Sequence, residues 1–133
     1  MEAPMSQNDI NTIRQFQIGL NALDLTVIDR YVAPNYISHV PGIPPSKNEW
    51  KSFLLQEINA FEEIVSIIET VYEEGGRVYL ILTEEFRQIA PFLGHPPDYI
   101  RYRMTTVNPY RVENGLIKEI YPSTVIYNQP QPE

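Results

Sequence analysis

Asn114-Gly115 stands between two long alternating runs, Tyr99 to Glu113 and Leu116 to Tyr127, and no other feature constrains the fold as much. An Asn-Gly pair in that setting is the strongest short-range hairpin signal, because a two-residue type I′ turn demands positive φ at both positions. Strands ordinarily run about five or six residues, so runs of this length predict a strongly curved sheet. A curved sheet with one apolar face needs something to wrap around. With the segment Tyr36-Ile37-Ser38-His39-Val40-Pro41-Gly42, the pattern predicts a cone-shaped α+β pocket fold.

The first half of the chain supplies the wrapping. Ile10, Ile13, Phe16 and Leu20 recur at helical spacing behind Asp9, a candidate N-cap, and Gly19 weakens the end of that helix. Leu25, Ile28 and Val32 follow Asp24 in a short second helix that Pro34 should close, since the residue before a proline resists the α region. Tyr36 to Ser38 reads as a short extended piece. Ser46 caps a third helix with Glu49 in a capping-box position, and Trp50, Phe53, Leu54, Glu57, Ile58 and Phe61 share its face.

Ile64 to Glu73 and Arg77 to Ile89 then read as strands about the turn Gly75-Gly76. The expected order is three N-terminal helices packed on a curved antiparallel meander of about four long strands, since helices followed by strands argue α+β. One domain over residues 1–133 is expected, with 1–8 and 128–133 frayed.

Net charge is −7, from 17 acidic against 10 basic residues, which disfavours nucleic acid and anionic membrane surfaces as partners. The absence of cysteine excludes disulfides, thiolate nucleophiles and Cys-bound zinc. Met1 to Asn8 lacks the regions of a signal peptide, and no run of about 18 apolar residues is present, so a cytoplasmic protein is expected.

Several motifs carry a family resemblance across nearly the whole chain. They are Val32-Ala33-Pro34-Asn35-Tyr36-Ile37-Ser38-His39 with Pro41-Gly42, the loop Phe92-Leu93-Gly94-His95-Pro96-Pro97, and Tyr110-Arg111-Val112-Glu113-Asn114-Gly115-Leu116-Ile117-Lys118-Glu119. The last resembles the Arg-x-x-x-Gly-x-Ile-x-Glu hairpin of the SnoaL-like polyketide cyclases, a branch of the nuclear transport factor two-like superfamily with its cystatin-like roll.

The resemblance implies a cone enclosing an apolar cavity, frequent homodimers, and acid/base chemistry without metal or organic cofactor, typically by a sheet histidine and a last-strand aspartate. In this sequence Gln88 stands at the histidine position, and Pro122 or, in another register, Val125 at the aspartate position. Of the residues the resemblance makes functional, His39 is the one retained in kind.

Alternation assigns the cavity lining. Ile100, Tyr102, Met104, Thr106, Asn108, Tyr110 and Val112 share a face that should line the cavity, opposite Arg101, Arg103 and Arg111, of which Arg101 and Arg103 fit a dimer surface or solvent. Val78, Leu80, Leu82, Glu84, Phe86 and Gln88 share a face of the second strand, and Ile117, Glu119, Tyr121, Ser123, Val125 and Tyr127 one of the last. Pro109 and Pro122 invite bulges that would flip these phases.

His39 is a candidate catalytic proton carrier, because an imidazole titrates near neutrality, or else a bonded residue at a junction. Glu84 is the second catalytic candidate: it points inward among apolar residues, where burial raises its pKa, or twists to meet an arginine at the rim. Glu57 carries the same two readings. His95 reads as the cap of an exposed loop at the cavity mouth, and two histidines without a spaced third ligand argue against a metal site. Trp50, Phe86, Gln88, Tyr102, Met104, Tyr121 and Val125 are the expected ligand-binding residues, the tyrosines as hydrogen-bond donors to a ligand oxygen.

Three functions remain open on these residues. One is a cofactor-free cyclase, isomerase or dehydratase acting on a small hydrophobic carbonyl compound. The others are a non-catalytic binder of such a molecule and a structural or dimerisation module with a filled cone.

Overall fold

The computed structural model describes residues 5–41 and 46–127. Its elements are α1 (Met5–Asn21), α2 (Thr26–Tyr31), β1 (Val32–Ser38), α3 (Lys47–Ala60), β2 (Phe61–Glu74), β3 (Arg77–Gln88), β4 (Arg101–Glu113), β5 (Leu116–Ile120) and β6 (Thr124–Tyr127). The sheet runs β1-β5-β4-β3-β2, with β6 also on β4, and it is curved and open. The expected α+β class holds. The predicted meander of about four antiparallel strands becomes a mixed sheet of six, because β1 joins β5 in parallel.

The hairpin at Asn114-Gly115 forms as expected, both residues at positive φ. Its second arm, however, is two strands. β5 pairs with Tyr110 to Glu113 and β6 with Met104 to Val107, along the same edge of β4. Residues 121–123 leave the ladder opposite Pro109, so two residues without an N–H, Pro109 and Pro122, meet at the break. The Tyr121 amide still reaches the Pro109 carbonyl at 3.1 Å. A register shift between Arg111 and Val112 then puts Val112 opposite Ile117 and Tyr110 opposite Ile120. Ile117 and Ile120 are therefore both buried, although an unbroken strand would put them on opposite faces.

Corrections among the helices have local causes. Asp9 lies inside α1 rather than capping it, so the frayed segment expected to residue 8 is helical from Met5. Its Oδ1 is buried without a partner, and burial together with Glu73 raises its pKa. α2 ends at Tyr31, three residues before Pro34, which sits in β1 within a register shift between Val32 and Ile37. Ser46 caps α3 as expected, accepting the Glu49 amide at 3.1 Å. Phe61, expected on the helix, opens β2 instead. Met1–Pro4, Gly42 with Pro44 and Pro45, and the tail Asn128–Glu133 lie outside the described residues.

The core fills the space between the helices and one sheet face. Ile13 and Phe16 of α1, Ile28 of α2 and Trp50 of α3 bury against Val78, Leu80, Tyr110 and Ile117. Phe16 packs on Trp50 at 5.7 Å between ring centres and on Tyr110 at 6.4 Å, and Tyr36 on Trp50 at 5.5 Å. No helix of the described residues is long and apolar enough to cross a membrane.

Gly19 is where α1 and α2 touch. A Cβ there would lie 2.1 Å from Cγ1 of Val27, a buried side chain that cannot step aside cheaply. Gly19→Ala gains up to about 1 kcal/mol of helix propensity but overpacks the contact, at a cost of about 1–3 kcal/mol. The expected outcome is a net loss of roughly 1 kcal/mol by urea denaturation; increased stability would show that Val27 repacks freely.

Candidate functional site

β3 and β4 pair in unbroken register, so the face that begins with buried Val78, Leu80 and Leu82 continues to Glu84 and Phe86. On β4 the same face carries Met104, Thr106 and Asn108, opposite Glu84, Leu82 and Leu80. Beyond the cover of α1, this stretch opens into two adjoining cavities of about 320 and 430 Å³. They share Glu57, Ile64, Glu84 and Asn108 as lining. The first is walled chiefly by Phe61, Phe86, Phe92, Met104 and Val125; the second reaches back to Trp50, Phe53, Leu54 and Tyr110.

A chain of hydrogen bonds crosses this lining. Ser123 Oγ donates to Asn108 Oδ1, the Asn108 amide donates to Thr106 Oγ1 at 2.9 Å and to the Leu80 carbonyl at 3.1 Å, and Thr106 Oγ1 donates to Glu84 Oε2 at 3.1 Å. Thr106 is buried, so its geometry is fixed by neighbours rather than by water. The break between β5 and β6 is what delivers Ser123 to the end of the chain.

Facing this network, α3 presents Glu57. Burial, reinforced by the charge of Glu84, pushes its carboxyl up to about 7. Burial also raises Glu84, opposed by the Thr106 hydrogen bond. The Tyr110 hydroxyl is pushed upward by burial and by Glu84. Two carboxylates so placed do not both ionise readily, and the donor from Thr106 biases the charge toward Glu84 and the proton toward Glu57.

The structure brings together Glu84, Phe86, Met104 and Val125 at the first cavity, and Trp50 lines the second. Of the two readings of Glu84, the inward one describes its position. Val125 lines the first cavity and Pro122 neither, so only one of the two alternative positions faces the hollow.

Four expected site residues lie off the lining. Gln88 donates to the carbonyls of Ala90 at 3.0 Å and His95 at 2.8 Å, bracing the loop that carries Phe92. The Tyr102 hydroxyl donates to Asp98 at 2.6 Å while its ring stacks on Phe86. The β5 bulge turns Glu119 and Tyr121 to the Arg111 side of the sheet, and the parallel pairing of β1 with β5 brings His39, whose amide donates to the Ile120 carbonyl at 2.9 Å, to the same side. There His39 stacks on Tyr121 at 5.1 Å and meets Glu119 at 3.1 Å, so His39 and Glu84 are not brought together. Bonds from Arg111, His39 and Tyr121 hold the Glu119 carboxyl down to about 2.

Alternation put Thr106 and Asn108 on the cavity face and Ser123 on a face of the last strand without foreseeing the hydrogen-bond chain that joins them, and left Glu57 between solvent and pocket. The available signal was two polar residues interrupting an apolar face beside Glu84. Among the described residues no cluster of three or more His, Cys, Asp or Glu is placed to hold a metal ion.

Helices gathered on one face of a curved, open mixed sheet, with a hollow between, define the nuclear transport factor two-like fold. TsrD from Streptomyces laurentii superposes with a TM-score of 0.75 at 18% identity, over 93% of this chain and 91% of that one. A protein from Jannaschia sp. CCS1, described as SnoaL-like polyketide cyclase, gives 0.76 at 21% over 94% and 90%. IdmH from Streptomyces antibioticus gives 0.67 at 22% over 86% and 89%. The sequence model of the SnoaL-like polyketide cyclases matches residues 11–121, and the chain belongs to that family. No curated protein matches it in sequence.

The raised carboxyl has a consequence for stability. A folded-state pKa above the ordinary 4.5 means that the native state binds more protons between 4.5 and about 7, so stability contributed by Glu57 falls as pH rises through that window. Glu57→Gln removes the penalty. The variant should exceed the wild type by about 1 kcal/mol at pH 8, discounted for partial solvent access, with the gap closing near pH 4.5; a pH-independent difference in urea midpoints would contradict the assignment.

Proposed function

We propose that this chain binds a small hydrophobic, carbonyl-type molecule in the paired cavities and moves protons on it with Glu84 and Glu57, cyclising, isomerising or dehydrating it without a cofactor. The observation that carries this reading is the carboxylate pair at the meeting of the two cavities, with Thr106 as donor to Glu84. Glu84, whose charged form the Thr106 hydrogen bond favours, takes a proton from the carbon next to the carbonyl. Glu57, about half protonated at neutral pH, gives one to the carbonyl oxygen as the enol forms. Both groups work within an apolar wall, where a charge or hydrogen bond counts for more than in water. Asn108 and Ser123 act through Thr106 by fixing its hydroxyl.

A second reading is non-catalytic binding of the same class of molecule. It is favoured by Gln88, which braces a loop at the position of the family's sheet histidine, and by apolar Val125 at one position of its aspartate. Deuterium incorporation next to the carbonyl of a panel of apolar ketones, followed by NMR, separates the two. Proton transfer by Glu84 predicts a loss of about 100-fold or more in Glu84→Gln and little change in His39→Ala. The reverse pattern would return the role to His39; ketone binding without exchange in the wild type would favour the binder.

The homodimer reading draws support from the outer sheet face. Register aligns Ile67, Thr83, Thr105 and Ile126 in one row across four strands, and Ile67 and Ile126 are about half exposed, at 48% and 55%. Such a row without charges suits burial against a second copy. Sedimentation at micromolar concentration should give a dimer that Ile126→Glu converts to monomer; a monomeric wild type would refute it.

A further inference from the structure

The lining of both cavities is charged in one sense only. Glu57 comes from α3, and Glu84 with Glu85 from β3, while among the described residues no lysine, arginine or histidine lines either one. The other polar groups are neutral: Gln17 and Asn21 from α1, Ser66 from β2, Thr106, Asn108 and the Tyr110 hydroxyl from β4, and Ser123 beyond the end of β5.

Outside the hollow the pattern is reversed. Arg101 meets Glu63 at 3.1 Å and Glu85 at 3.2 Å, so Glu85 is answered at the rim. Arg111 binds Glu113 and Glu119, and Lys51 binds Asp29. Lys51, Arg101 and Arg111 are thus matched to carboxylates on the outer surfaces, and among the described residues no basic side chain forms an ion pair with Glu57 or Glu84. A carboxylate taken out of water without a counter-charge is costly, and a guest that brings the counter-charge removes that cost.

Two further features suit a cation. Phe61, Phe86 and Phe92 line the first cavity next to the pair, with Phe61 set edge-to-face against both others at 5.3 and 5.4 Å, and an alkylammonium is attracted to such ring faces. In the second cavity Ser66 contributes a hydroxyl oxygen that is buried with no hydrogen-bond partner, an acceptor for an N–H.

We propose that the ligand of this hollow is an apolar molecule carrying one protonated basic nitrogen, its ammonium lying between Glu57 and Glu84 and its hydrocarbon body filling the aromatic-walled cavity. This rests on the reading of the hollow as a ligand site and goes with its binding form rather than with proton transfer, because an ammonium between the pair takes the place of the carbonyl and needs Glu57 ionised. A carboxylate or phosphate of the same shape is excluded by repulsion, which is selectivity through a clash rather than through an added contact.

The test is a matched series: 4-phenylbutylamine, 4-phenylbutan-1-ol and 4-phenylbutyrate, titrated by calorimetry into the whole chain at pH 8 and pH 6. At pH 8 the amine should bind at least tenfold more tightly than the alcohol, with no measurable binding of the carboxylate. An ammonium prefers the deprotonated pair, and Glu57 titrates near 7, so the advantage of the amine should shrink by about tenfold at pH 6, with proton release on binding. Glu57→Gln and Glu84→Gln, checked for folding by circular dichroism, should each reduce the preference for the amine while sparing the alcohol. Alcohol or carboxylate binding as tightly as the amine at pH 8 overturns the charge assignment alone. No binding by any of the three overturns it together with the ligand-site reading.

Discussion

The β3–β4 ladder is the constraint on which the site depends. Ten consecutive residue pairs, from Val78 with Tyr110 to Arg87 with Arg101, run without a register shift, so alternation set in the core is carried intact to the far end of the sheet. Burial of Val78, Leu80 and Leu82 thereby fixes the direction of Glu84 and Phe86, and burial of Tyr110 fixes Asn108, Thr106 and Met104. No local preference at Glu84 has to hold it inward; a one-residue slip would require three apolar side chains on β3 to face water first.

Around that rigid pair the neighbouring strands are irregular, and the irregularities have structural consequences. β2 shifts register between Glu62 and Val65, where Glu63 takes positive φ and reaches both Arg87 and Arg101. The shift between Arg111 and Val112 turns Glu119 and Tyr121 outward to His39, while Arg77 lies 3.8 Å over the Tyr121 ring. The break at residues 121–123 turns Ser123 and Val125 back to the hollow. Each departure moves side chains from one face to the other, as bulges do at sheet edges.

That division also separates what was legible in the sequence from what was not. The hairpin, the Ser46 cap and the inward phase of β3 and β4 follow from local chemistry and strict alternation, and all three stand in the structure. The class was readable for the same reason, and the family through the resemblance of its motifs. The parallel pairing of β1 with β5 was not, because it joins segments about eighty residues apart and leaves no periodic mark. The displacement of Tyr121 turned on a single extra residue in β5, where the prolines warned that a bulge was near without fixing its position, and the place of His39 turned on that same parallel pairing. Glu57 was visible as a residue on the apolar face of α3, yet a helix face alone does not say whether its last turns meet the core or a hollow.

What the fold then builds is a contrast of environments for the same side chain. Glu119 lies in a nest of donors on the outer side, its carboxyl held near 2, whereas Glu57 lies among apolar walls beside a second carboxylate, its carboxyl raised to about 7. Stability alone would favour replacing the inner pair with apolar residues of similar size, since unpaired inward charge costs free energy at neutral pH. The inner pair also sits where both cavities meet and where the hydrogen-bond chain from Ser123 ends. A destabilising pair placed where both cavities and that hydrogen-bond chain meet is the pattern expected when a guest, rather than the fold, completes the electrostatics.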